Sequence, residues 1–407
     1  FAADYDKEHP QKVQLKALKR EKIAIVGSGP CGLTAAYYLA KEGYDTTVFE
    51  ALPVAGGMLA VGIPDYRLPK EIIDAEICHI KSQGVEIVLN TAIGKDLTIE
   101  TLQDNGFKAI FLAMGAHKDV KLGIPGEEYM GVLSAVDFLK KVNLNKNVHL
   151  GDKVAVIGGG NAAIDAARTA LRKGAKEVHV FYRRSRKEMP AQQEEVEDAI
   201  NDGVNFHFYT NPVKILGEKH KVNKIVIQRM KPGEFDRSGR RRPIVIANSE
   251  FEVRVDNVIV AIGQQVDEKI SILQTNKNGT LKVDKDTLET SIPGIFAGGD
   301  CVLGPATVIE AISHGHKAAI AIDKYLGGVM YKRIKTHKRK ADYDIYEQPM
   351  GKCKIQKLSP HERIKDFAEV ELVLSEEEAY QEACRCLRCD IKQTEKEHNP
   401  TAPLVEK

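Results

Sequence analysis

Three observations predict an α/β protein built from two Rossmann-like dinucleotide-binding domains, the second inserted into the first. Residues 22–50 and residues 153–184 each read as strand, glycine-rich turn, helix and strand. A later strand in each half ends in the same way, as Ala113-Met114-Gly115 and as Ala261-Ile262-Gly263. Beyond Gly263 the chain returns to another apolar strand and glycine turn at residues 294–300. The expected division is an arm at 1–21, a discontinuous first domain at 22–130 and 264–328, a second domain at 131–263, and an irregular tail at 329–407.

The first unit opens with the apolar run 23–26 and places Gly27, Gly29 and Gly32 at G-x-G-x-x-G spacing, with Pro30 at the start of the following helix. Gly27 allows the tight turn, Gly29 lets the backbone approach a pyrophosphate, and Gly32 lets helix and strand pack closely. The helix N-terminus offers free N–H groups and a positive dipole end to phosphate. Glu50 closes the second strand, where a carboxylate can accept hydrogen bonds from ribose hydroxyls. Residues 55–70 are too rich in Gly and Pro for a long helix or central strand, so they form a shaped loop of the kind that faces ligands. A helix over 71–83, strands over 85–89 and 109–114 and a connector helix over 134–142 follow.

The second unit repeats the pattern with a strand at 153–157, Gly158, Gly160 and Ala163 at the turn, and a helix over 164–172. Its closing strand, 177–182, ends in Arg183 and Arg184 instead of an acid. A carboxylate repels a ribose 2′-phosphate, whereas guanidinium groups pair with it, so the second unit prefers NADP(H) and leaves NAD(H) open. Short β runs at 206–209, 222–229, 251–255 and 258–262 complete the domain, with 233–243 as a hairpin excursion. Residues 294–300 form a strand and turn carrying Asp300, and a helix entered by Thr307 runs to 325. The tail has helix potential over 375–388.

With 59 basic and 57 acidic side chains, the chain has no long-range field suited to nucleic acid. The basic runs 237–242 and 332–340 read as solvated loop or linker. No apolar run reaches the roughly 18 to 20 residues that span a bilayer. Seven cysteines without a secretory signal indicate a reducing compartment, and hence the cytoplasm. A start at Phe1 rather than Met reads as a chain whose preceding residues are missing.

The segments GSGPCGLTAAYYLA, GIPDYRLPKEI, VIGGGNAAIDAARTALRKGA with YRR and EMPA, and IFAGGDCVLGPATVIEAISHGHKAA together resemble the NAD(P)H-binding flavoprotein family typified by the glutamate synthase small subunit. The same family includes the large subunit of ferredoxin-dependent NADH:NADP transhydrogenases and the flavin half of dihydropyrimidine dehydrogenase. The resemblance covers residues 22–326. It implies FAD in the first domain, held by Gly27, Gly29, Pro30, Gly32, Glu50, Gly57, Met58, Arg67, Gly115, Gly299, Asp300, Thr307 and Val308. It implies NADP(H) in the second, held by Gly158, Gly160, Asn161, Ala162, Arg183, Arg184 and Gly263. The implied activity is hydride transfer between NADP(H) and FAD, with electrons exchanged with iron–sulfur subunits or ferredoxin in a hetero-oligomeric complex, including electron-bifurcating transhydrogenase or hydrogenase assemblies. The alternative is a docking subunit whose FAD is structural or regulatory.

Three features depart from that family. Only a short arm precedes the first fingerprint, His316 stands where an Arg is common, and cysteines cluster at the C-terminus. Cys353, Cys384, Cys386 and Cys389 are read as iron–sulfur ligands, with free thiols or a zinc site as the alternatives. No C-x-x-C or C-x-x-x-x-C occurs in either dinucleotide domain, which argues against a thioredoxin-reductase-like activity. Because the cofactors carry the reaction, no catalytic side chain is assigned.

Overall fold

The computed structural model describes residues 2–8, 16–19, 21–236, 239–266, 272–330 and 353–384. The chain lays down β1 (Lys22–Val26), β2 (Asp45–Phe49), β3 (Glu86–Val88) and β4 (Phe107–Leu112), then leaves through β5 (Lys118–Asp119). It continues into β6 (Val132–Ser134), β7 (Lys153–Ile157), β8 (Glu177–Tyr182) and β9 (Asn205–Phe208). An antiparallel layer follows: β10 (Thr210–Glu218), β11 (Lys221–Phe235), β12 (Arg241–Val245) and β13 (Phe251–Arg254). Then β14 (Asn257–Val260) completes the second domain, β15 (Gln264–Gln265) leads back, and β16 (Ile295–Ala297) closes the first.

The first sheet has the order β16-β4-β1-β2-β3 and the second β6-β14-β7-β8-β9, each parallel throughout. Both are covered on two faces, which is why β1, β4, β7 and β14 are nearly continuous apolar runs. Beside the sheets the chain forms α1 (Ala2–Glu8), α2 (Pro30–Lys41), α3 (Met58–Val61), α4 (Lys70–Ser82) and α5 (Ile99–Asp104). The second domain adds α6 (Ala135–Asn143), α7 (Asn161–Arg172) and α8 (Gln193–Asn201). After it come α9 (Asp300–Leu303), α10 (Val308–Tyr325), α11 (Pro360–Arg363) and α12 (Glu376–Cys384). The crossings between domains pair as β5 with β15, so the chain leaves and returns side by side.

Two expectations about organisation change. Residues 122–130, assigned by sequence to the first domain, pack on the second: Leu122, Ile124 and Tyr129 lie against the core formed by Ile215, Val222 and Val258. The tail is also not simply irregular, since it forms α11 and α12 and residues 357–366 pack against the second domain. Arg363 is 3% exposed and donates to the Asp202 carboxylate and, at 2.9 Å, to the Asp198 carbonyl. Lys357 pairs with Asp198 at 2.8 Å, and Arg172 donates to the Asp366 carbonyl at 3.1 Å. The arm touches the body through Lys19, which pairs with Asp323 at 3.1 Å and lies over the Tyr44 ring.

The domains meet at a charged seam. Tyr66, 1% exposed, sits on the loop before α4 with the Arg172 and Arg168 guanidinium carbons 3.9 and 4.9 Å from its ring centroid. Its carbonyl accepts the Val370 N–H at 3.0 Å, which ties the tail into the same junction. Asn143 of α6 donates to the Val61 and Ile63 carbonyls. Asp202, whose carboxylate is fully buried, takes Arg168 at 2.8 Å, Arg172 at 3.5 Å and Arg363. Removing one member of such a set leaves uncompensated buried charge, which costs about 3 to 5 kcal/mol. Asp202→Ala is therefore expected to lower unfolding free energy by about that amount in chemical denaturation; a loss under about 1 kcal/mol would mean that the arginines repartner or hydrate freely.

Candidate active site

The first phosphate turn is set by contacts that a side chain would break. Gly27 has φ of +104°, and a Cβ there would lie 2.4 Å from the Ala113 carbonyl oxygen; one at Gly32 would lie 2.0 Å from the Gly27 oxygen. These two glycines serve the protein's own packing. Gly29 differs, because its side opens on empty space, as the approach of a ligand requires. It is the N-cap of α2 and provides no side-chain hydrogen bond, so the first N–H groups of a 12-residue helix remain for an anion. Gly57 lies against Gly29, and Met58 begins the short α3 behind it.

Glu50 is 5% exposed and braces this turn. Its Oε2 accepts from the Ser28 N–H and hydroxyl at 2.8 and 2.5 Å, and its Oε1 accepts from the Leu52 N–H at 2.8 Å. A carboxylate offers about four acceptor positions, so one on Oε1 is left for a ribose hydroxyl. His117 was not singled out by sequence reasoning. Its ring lies against Gly115, and burial lowers its pKa, favouring the neutral imidazole.

The opposite wall is the turn after β16. Gly299 has φ of +70° and donates its N–H to His314 Nδ1 at 3.3 Å. Asp300 accepts from the Ala306 N–H at 3.3 Å, and burial pushes its pKa up to about 6, with Glu310 adding to the shift. Thr307 caps α10 in a reciprocal box with Glu310, leaving Val308 and Ile309 exposed at the helix start. The fold also brings Cys31 and Cys301 to this turn. Burial raises both thiol pKa values, that of Cys301 to about 12, so both stay protonated and unreactive. His316 packs its ring on Tyr38, with centroids 4.4 Å apart.

The second turn repeats the first. A Cβ at Gly158, φ +146°, would lie 2.2 Å from the Ala261 oxygen, whereas Gly160 opens on empty space and begins the 12-residue α7 without a side-chain cap. Asn161 Oδ1 accepts the Gln192 N–H at 3.1 Å, and Ala162 follows in the first turn of the helix. Gly263, φ +133°, accepts the Val120 N–H at the crossing between domains.

Two of the expected cofactor contacts have partners within the chain. Arg67, expected along the flavin cofactor, bridges the domains: Nη1 donates to both Asp165 carboxylate oxygens at 2.9 Å and Nε pairs with Glu195 at 3.1 Å. Arg184, expected beside Arg183 on the phosphate, is 7% exposed and held inward by Asp236 at 2.8 Å and the Arg241 carbonyl at 2.9 Å. Both side chains found acidic partners contributed from distant parts of the chain, so only Arg183 is exposed at the end of β8.

The profile of the pyridine nucleotide-disulphide oxidoreductase family matches residues 21–315. The chain belongs to that family. It is 46% identical over 387 residues to the NADP(+)-dependent formate dehydrogenase subunit beta of Moorella thermoacetica, covering 91% of this chain and 54% of that one. It is 36% identical to the glutamate synthase [NADPH] small chain of Halomonas elongata, covering 75% and 68%, which bears out the resemblance read from the motifs. Among solved structures, Mycobacterium tuberculosis FprA in complex with NADPH shares the fold with a TM-score of 0.65 at 22% identity, over 76% of this chain and 85% of that one.

The cysteine-rich end gives less. Cys353 Sγ lies 3.7 Å from the Glu378 carbonyl and Cys384 is exposed at the end of α12, while Cys386 and Cys389 lie outside the described residues. Among the described residues no group of three or more His, Cys, Asp or Glu side chains is arranged to hold a metal ion, and no helix is long and apolar enough to cross a membrane.

The raised pKa of Asp300 has a measurable consequence. Below about pH 3.8 it is protonated whether folded or unfolded; between there and about 6 only the folded state keeps the proton, so this group's contribution to stability falls as pH rises to about 6 and is flat above. The cofactor-free Asp300→Asn variant is expected to melt higher than the parent at pH 7.5 and at the same temperature near pH 4, in scanning calorimetry. Equal melting at both pH values would mean that Asp300 is as well solvated folded as unfolded.

Proposed function

We propose that this chain is the nucleotide-binding flavoprotein subunit of an NADP(H)-dependent oxidoreductase, with FAD in the first domain and NADP(H) in the second. The observation that carries this reading is the pair of glycine turns, each with an open Gly at the start of an uncapped 12-residue helix, in two domains joined by a paired crossing. When bound, the cofactors supply hydride exchange between nicotinamide and flavin.

The protein's share is placement. Gly27, Gly29 and Gly32 shape the turn and Pro30, which has no N–H of its own, opens the helix, so that the following N–H groups face the FAD pyrophosphate, and Glu50 offers its remaining acceptor position to a ribose hydroxyl. Asp300 and the start of α10 at Thr307 and Val308 line the far side, with Gly115 and Gly299 keeping the strand ends close to the ligand. In the second domain Gly158, Gly160, Asn161 and Ala162 take the nucleotide phosphates, and Arg183 reads the 2′-phosphate. No general acid or base is required of the protein.

The name of the formate dehydrogenase beta subunit supports placement in a larger assembly. This chain passes electrons to or from iron–sulfur subunits or ferredoxin in a cytoplasmic hetero-oligomer, bifurcating transhydrogenase or hydrogenase complexes among the candidates. The docking-subunit reading relies on a tail available to partners, and of that tail Lys357, Arg363 and Asp366 are engaged on the chain's own second domain.

NADPH added anaerobically to the FAD-loaded protein should bleach the flavin absorbance near neutral pH; a flavin that stays oxidised with both NADPH and NADH overturns the enzyme reading. Arg183→Glu should weaken NADPH by roughly ten- to a hundredfold, the worth of a charge-assisted hydrogen bond of about 1.5 to 3 kcal/mol, and leave NADH within about twofold. Equal loss for both nucleotides would remove Arg183 from the phosphate site.

A further inference from the structure

The hairpin β11–β12 is long for the layer that supports it. The first half of β11 pairs with β10 and β13, while its last residues pair only with β12, from Met230 opposite Val245 to Phe235 opposite Arg241. Phe235, Arg241, Arg242, Ile244 and Val245 are exposed along this projecting ribbon. A two-stranded ribbon is marginally stable in water by itself, so whatever anchors the tip decides where it lies.

The tip is anchored at the end of β8. Arg184 donates Nη2 to Asp236 and Nε to the Arg241 carbonyl, and the Arg241 N–H donates to Glu188 Oε1 at 2.6 Å. Glu188 is fixed in turn by its reciprocal hydrogen bonds with Ser185. Arg241 lies over the Phe235 ring, its guanidinium carbon 4.7 Å from the centroid, which stiffens the end of the ribbon. The basic stretch Arg240-Arg241-Arg242, which sequence reasoning left as a solvated loop, is thereby drawn to the loop that follows β8. This is where the sequence places recognition of the ribose 2′-substituent.

We propose that Arg184 is a positioning residue for nucleotide choice: through Asp236 it holds the arginine-bearing hairpin tip as the outer wall of the 2′-phosphate pocket, across from Arg183. The carboxylates nearby do not cancel this field, because Asp236 is matched by Arg184 and the single charge of Glu188 is outnumbered by Arg183, Arg240, Arg241 and Arg242. The pocket therefore selects a dianionic 2′-phosphate by the positive potential of the tip as well as by direct pairing. The inference rests on assigning NADP(H) to the second domain.

The test uses the FAD-loaded full chain and two probes that differ only in the 2′-phosphate, 2′,5′-ADP and 5′-AMP, with dissociation constants from titration calorimetry. Asp236→Asn keeps the volume of the side chain and removes its charge, and it should weaken 2′,5′-ADP about tenfold while 5′-AMP stays within twofold. Retained FAD content and an unchanged circular dichroism spectrum establish that the variant is folded. Asp236→Glu, which restores the charge, should recover at least half of the loss on a logarithmic scale. No change in 2′,5′-ADP binding, or equal loss of both probes, overturns the proposal. Tighter 2′,5′-ADP binding overturns it too, since Asp236 would then be competing with the phosphate for Arg184. Arg183→Glu, run in parallel, separates the two ideas: equal loss of both probes there refutes the NADP(H) assignment, whereas a selective loss there without one in Asp236→Asn refutes the hairpin role alone.

Discussion

The arrangement of the two domains depends on an aromatic ring wedged between guanidinium groups. Tyr66 enters the second domain from a loop of the first, and Arg168 and Arg172 reach its ring from α7. Carboxylates of α8 and its C-terminal end take Nη1 and Nε of Arg168, with Asp202 at the centre. Arg172 donates to the Arg168 and Asp366 carbonyls, and Nη2 of each arginine is buried without a hydrogen-bond partner among the described residues. Arg67 adds a second tie from the same loop, and the tail closes the set through Arg363 and the Val370 N–H. Such a junction holds by mutual compensation: each charge is tolerable in the interior because its partners are there.

That constraint assigns the segment 63–70 its task. Pro64 and Pro69 restrict its backbone, and from it Tyr66 and Arg67 reach α7 and α8. The relation between the two nucleotide turns is therefore set from the side, by the seam, as well as by the paired crossing strands β5 and β15. A domain rearrangement would have to break charge pairs in the interior, so the seam favours one relative placement of the two domains over small slides.

Much of the fold was legible because local rules and tertiary packing agree. Parallel strands buried on both faces leave apolar runs, and phosphate turns need glycine for steric reasons that operate within a few residues. The strands of both parallel sheets other than β6, the helix entry at Thr307 and the hairpin around residues 233–243 fall where the sequence puts them. Other features involve residues far apart in the chain. The helix expected over 375–388 is present as α12, Glu376–Cys384, whereas the docking of residues 357–370 was missed because its apolar content is low and its anchor is Arg363 on Asp198 and Asp202. Nothing near Arg363 announces those partners. The approach of Cys31 and Cys301 to one turn was hidden for the same reason.

The sequence by itself determined that two dinucleotide turns exist, which glycines form them, and that one strand ends in an acid and the other in arginines. Those properties follow from backbone sterics and from the charge of a single side chain, both short-range. Only the tertiary structure decided what the charged residues are for. Glu50 first braces its own turn, Arg67 joins domains, and of two adjacent arginines one faces out while the other holds a hairpin. The reason is electrostatic: a guanidinium or carboxylate takes its role from the opposite charge that folding brings within about 3 Å, and that partner can lie anywhere in the chain.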